Sequence, residues 1–116
     1  MGRYVIVEKG DIDWKWKFGF GRQCSNFGAV LESIKVNSDE PIRVERFLGE
    51  SGEYVYMFAK KDDLIKAIDK WLECADCPFC DDPECIEYTK EMMMDFKDAL
   101  EKLDKDSVEA LWFVEY

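Results

Sequence analysis

The sequence predicts an α+β fold, an antiparallel or mixed sheet of about five strands packed against helices. Three observations lead there: short runs rich in β-branched and aromatic residues, amphipathic stretches with apolar residues at helical spacing, and an order in which the two kinds mix without strict alternation. The 116 residues suit one domain, 1–116, and an apolar fraction of 47%, with 15% aromatic, supplies its core despite 36% charged residues.

Arg3 to Glu8, RYVIVE, is apolar on both faces and predicts a strand inside the sheet, with Lys9 and Gly10 as the turn that follows. Between Ile12 and Phe20 the apolar residues Ile12, Trp14, Trp16, Phe18 and Phe20 take every second position, which predicts a strand with one buried face. Gly19 and Gly21 suggest a bend at its end. Ser25 or Asn26 can cap a short helix carrying Phe27, Val30, Leu31 and Ile34. Pro41 to Leu48 and Tyr54 to Ala59, joined through GESGE, predict a hairpin with a longer loop. Asp62 or Asp63 can cap a helix in which Leu64, Ile65, Ile68, Trp71 and Leu72 share a face. Asp82 before Pro83 opens the next helix, with Ile86, Met93, Phe96, Leu100 and Leu103 as its apolar stripe. Val108 to Tyr116 closes the chain as a strand. With the Trp-rich strand counted as an extra, the order is β-α-β-β-α-β, the ferredoxin-like arrangement, a fold that hosts many functions.

Charge narrows the function classes. Sixteen Lys and Arg stand against 26 Asp and Glu, a net charge of −10. Residues 1–59 hold 8 bases and 9 acids, whereas residues 60–116 hold 8 and 17, so the excess lies in the second half. Such a chain is not expected to bind nucleic acid directly; a basic protein surface is the partner it would attract, or the chain could act as an acidic nucleic-acid mimic or inhibitor. No apolar run is long enough to span a membrane, and MGRYVIVEKGD lacks the features of a signal peptide, so a cytoplasmic protein is expected. Histidine is absent, which removes Ser-His and Cys-His catalysis, and no dinucleotide fingerprint, P-loop or G-x-S-x-G stands in the chain.

Four of the five cysteines fall in CADCPFCDDPEC: Cys74, Cys77, Cys80 and Cys85. Cys74 ends one predicted helix, Cys77 and Cys80 lie in the connection, and Cys85 sits in the first turn of the next. Four thiols so placed can converge on zinc, stapling a helical hairpin as a structural site. Glu73, Asp76, Asp81, Asp82, Glu84, Glu87, Glu91 and Asp95 surround them against Lys90 alone. Thiolates among so many carboxylates are disfavoured unless a cation offsets both sets of charge.

The spacing leaves rivals open. Cys74, Cys77 and Cys80 are similar to the C-x2-C-x2-C run of bacterial ferredoxins, which implies an iron–sulfur cluster and electron transfer, although the fourth cysteine departs from that pattern. Cys77-Pro78-Phe79-Cys80 resembles the CPYC-type motif of glutaredoxins, which implies thiol–disulfide redox work. The helix predicted immediately before it, and the lack of a proline after Pro83, separate the chain from that family's fold. Two disulfides with no cofactor are the third alternative. Cys24 stands alone and reads as a small buried hydrophobe.

Two further features have ordinary readings. The alternation of Trp14, Lys15, Trp16, Lys17 and Phe18 places rings and lysines on opposite sides, an inward aromatic face rather than a base-stacking platform. If the chain's own helices leave that aromatic face open, it is a candidate interface for a homodimer. Met92, Met93 and Met94 fit core packing better than soft-metal binding.

Overall fold

The computed structural model describes residues 3–18, 27–73 and 83–115, save the side chains of Arg3, Lys17, Phe18 and Cys85. The elements run β1 (Arg3–Gly10), β2 (Trp16–Phe18), α1 (Phe27–Val36), β3 (Arg43–Leu48), β4 (Gly52–Lys60), α2 (Lys61–Glu73), α3 (Pro83–Glu101) and β5 (Ser107–Glu115). The α+β class is as the sequence predicts. Four long strands and the three-residue β2 form one sheet in the order β2-β1-β5-β4-β3, and every neighbouring pair is antiparallel. No described helix is long and apolar enough to cross a membrane.

The sheet order corrects the ferredoxin-like expectation. A split β-α-β unit needs two parallel strands on either side of a third. Here β2 and α1 both lie between β1 and β3, and each added element reverses the chain once more, so β3 runs antiparallel to β1 and reaches the far edge. Likewise two helices, α2 and α3, return the chain beside β4, where β5 pairs antiparallel from Gly52↔Glu115 to Lys60↔Ser107. The sheet is two hairpins, β1–β2 and β3–β4, joined through the C-terminal strand.

Alternation selects the covered face. Val5, Val55, Met57, Ala59, Val108, Ala110, Trp112 and Val114 are buried in one core with Phe27, Val30, Leu31 and Ile34 of α1, Leu64, Ala67, Ile68 and Trp71 of α2, and Met92, Met93, Phe96 and Leu100 of α3. Trp112 sits at its centre, edge-on to Phe27 at 5.1 Å and to Phe96 at 5.7 Å between ring centroids. The apolar periodicities of α2 and α3 thus face the sheet as the spacing predicts.

Several boundaries differ from the sequence reading. Among the described residues of the segment Ile12 to Phe20, only Trp16–Phe18 is strand; Ile12 and Trp14 are buried without pairing. Phe20, the proposed bend at Gly19 and Gly21, the caps Ser25 and Asn26, the cap Asp82, and Tyr116 lie outside the described residues. The helix expected to be capped by Asp62 or Asp63 instead begins at Lys61, straight from β4, and its first amide bonds the Asp106 carbonyl at 2.8 Å. Both aspartates then lie in the first turn, where the helix dipole favours them.

Gly10 does more than turn the chain. Its φ is +153°, and a Cβ there would lie 2.6 Å from the Ala110 Cα, so only glycine lets β1 approach β5 after the register shift between Val7 and Lys9.

Candidate functional site

The hairpin expected to carry the cysteine site is formed by α2 and α3. Two contacts fix its register: Lys61 Nζ donates to the Leu103 carbonyl at 2.9 Å, and Lys97 Nζ pairs with Asp69 Oδ1 at 2.5 Å. The Asp69 carboxylate raises the Lys97 pKa above its ordinary value. With Asp69 level with Lys97, Glu73 stands level with about residue 93, and α3 continues roughly 15 Å beyond the end of α2 at 1.5 Å per residue.

That overhang rests on the Trp-rich segment. Tyr88 stands edge-on to Trp16 at 6.0 Å, and Trp14 packs against Phe96 at 4.9 Å while its Nε1 donates to Asp95 at 2.8 Å. Trp14 and Trp16 are therefore a floor under α3, covered by the chain's own helix, while the side chains of Phe18 and Phe20, which the alternation puts on the same face, lie outside the described ones. Met92 and Met93 are fully buried, as core packing requires, and Met94 is 58% exposed.

Cys74, Cys77 and Cys80, along with Cys24, lie outside the described residues. Cys85 has its backbone in the first turn of α3, which opens at Pro83 as expected. Among the described residues, no three Cys, Asp or Glu side chains converge as metal ligands. The outer side of α3 presents Glu84, Glu87, Glu91, Met94, Asp98 and Glu101, an exposed stripe with alternating steps of three and four. Pro83, Glu84, Glu87, Tyr88 and Glu91 border an open groove of about 360 Å³ at its N-terminal end. Over the whole helix six carboxylates face two lysines, Lys90 and Lys97.

Two polar groupings escaped sequence reasoning, the first because Arg46 and Glu53 meet only through the β3–β4 pairing, the second because Asp11, Tyr56 and Glu109 are far apart in the chain. Glu53, 3% exposed, accepts from Arg46 through Nε at 3.1 and 3.0 Å and Nη2 at 2.9 Å, and Arg46 also meets Glu32 at 3.5 Å. This ion pair lies beneath α1. At the other end of the sheet, Tyr56 donates to Glu109, whose carboxylate raises the phenol pKa. Nearby, the Lys105 ammonium and the Glu109 amide hold the Asp11 carboxyl below its usual range. Lys9, Gly10, Asp11, Tyr56, Glu109, Ala110 and Leu111 line a shallow cavity of about 400 Å³ there.

No protein-family model matches this chain, and no curated protein or solved structure matches it either.

Proposed function

We propose that this chain is a small cytoplasmic binding or regulatory protein that engages a lysine- and arginine-rich protein segment through the outer side of α3. The observation that carries this reading is the exposed stripe of Glu84, Glu87, Glu91, Asp98 and Glu101 along one side of α3, the last two of which also meet Lys102 and Lys97. Carboxylates repeating on one side of a packed helix attract cationic side chains, and complementary charge sets register and on-rate more than affinity. Met94 supplies an adaptable apolar contact in the middle of the stripe.

In this reading, Cys74, Cys77, Cys80 and Cys85 hold a structural zinc ion that staples the α2–α3 hairpin at its connecting end. The overhang of α3 gives such a staple a purpose, because its first turns extend past the support of α2. Residues 74–82 can reach at most about 30 Å, enough to span the offset between the two helix ends. Zinc would neutralise thiolate charge that the neighbouring carboxylates disfavour.

Fluorescence anisotropy with a labelled Lys/Arg-rich helical peptide tests the docking surface. The combined variant Glu84→Gln, Glu87→Gln, Glu91→Gln is expected to weaken binding at least ~10-fold, and raising the salt from about 0.05 to 0.5 M to weaken the wild-type complex. Neutralising Glu40, Glu50 and Asp104 instead should change it little. Equal losses from both triple variants would mean that only net charge is sensed, and the reading fails.

A further inference from the structure

An antiparallel sheet with one face in water normally alternates apolar-in with polar-out. Here the face turned away from the helices breaks that rule. The registers Ile6↔Phe113, Phe113↔Tyr54 and Tyr54↔Phe47 align four apolar or aromatic side chains in one row across β1, β5, β4 and β3. Ile6 is 39% exposed, Tyr54 38% and Phe47 53%, and Phe58 and Tyr4 flank the row at 44% and 39%. Tyr54 and Phe113 already pack together, 5.2 Å between ring centroids, at the middle of the row.

We propose that this open sheet face is the interface of a twofold homodimer, closing on the row Ile6–Phe113–Tyr54–Phe47. Charge selects a second copy as the occupant. Register places Lys9, Arg43 and Lys60 on the face with Glu45, Glu109 and Glu115, and the exposed Glu8 stands at the register shift beside Lys9, so bases nearly balance acids although the chain as a whole carries −10. A strongly basic or acidic partner gains little from a face that is itself nearly neutral. A like face does gain, because twofold packing sets each neutral, apolar row against its equivalent. Sheets stacked face to face lie about 10 Å apart, so both α3 helices point outward, separated by several Debye lengths at physiological salt.

The area is of the right order. The outward positions, five each on β4 and β5, three on β3 and two on the paired part of β1, cover about 500 Å² in projection at the usual strand spacing and rise. The relief of the rings and the flanking Tyr4 and Leu48, the latter 87% exposed, add to this, against the ~800 Å² that each partner contributes to a specific complex.

Sedimentation equilibrium of the full chain under reducing conditions tests the proposal. Wild type is expected at twice 13.7 kDa at micromolar to submillimolar concentration, with a dissociation constant that changes less than about threefold between 0.05 and 0.5 M salt. Phe47→Lys and Tyr54→Lys, both at exposed positions, should give monomers whose circular dichroism matches wild type. A wild type that stays monomeric throughout overturns the proposal. So does a dimer that survives both substitutions, or one whose affinity tracks salt steeply. Should either variant unfold, the wild-type mass together with cross-linking between copies through a cysteine placed at Phe47 decides: absence of the cross-linked pair overturns it.

Discussion

The Glu53–Arg46 pair shows how a single residue lets a charge be buried. α1 lies directly over it, and a Cβ at Gly28 would come within 2.4 Å of Glu53 Oε1 and 2.9 Å of the Val55 side chain. Backbone contact at Gly28 thus closes the lid on an ion pair that would be costly if either partner stood alone. The substitution Gly28→Ala raises intrinsic helix propensity by up to about 1 kcal/mol, yet the overpacking should cost roughly 1–3 kcal/mol and prevail. Urea unfolding of the variant should show a lower midpoint at unchanged slope. A raised midpoint would mean that α1 can slide off the pair freely. Nothing in the sequence around Gly28 reveals this role, because Arg46 and Glu53 belong to a distant hairpin and Gly28 has no unusual backbone angle.

At the scale of the element, the helices were legible and the Trp-rich strand was legible only in part. The period of Leu64, Ile68 and Trp71, and of Met93, Phe96 and Leu100, comes from local geometry that a neighbouring element merely has to accept. Alternation from Ile12 to Trp16 does predict which side chains are buried, but burial does not require a ladder, and among the described residues only Trp16–Phe18 pairs with β1. The 15 Å or so by which α3 overhangs α2 was not legible, since helix register depends on Lys61 and Lys97 finding partners across the hairpin. If zinc staples this hairpin, Cys77→Ser should lower bound zinc from one equivalent to near zero. It should also lower the melting temperature by at least ~5 °C, as read by elemental analysis and calorimetry. Zinc content and melting temperature both unchanged would sink the structural site.

For the molecule as a whole, strand order decides what must form last. β5 lies between β1 and β4 and contributes Val108, Ala110, Trp112 and Val114 to the core, so neither hairpin is complete without it. Strand order was hidden from the sequence because every β5 pairing is long-range; the two-sided apolarity of RYVIVE signalled an interior strand but not its neighbour. A chain ending at Asp106 should lack cooperative thermal unfolding altogether, because removing Trp112 alone would already open a cavity at the core's centre. A cooperative transition near that of the full chain would show that the two hairpins fold as separate units.

The position of β5 also bears on biogenesis. A ribosome makes both hairpins and all three helices before β5, so the strand that unites the sheet emerges after everything it joins. Until β5 emerges, the nascent polypeptide exposes two unpaired edges and an unfilled interior, a condition chaperones recognise. A premature stop that removed β5 alone would therefore yield a product destined for degradation rather than a slightly shortened, working protein.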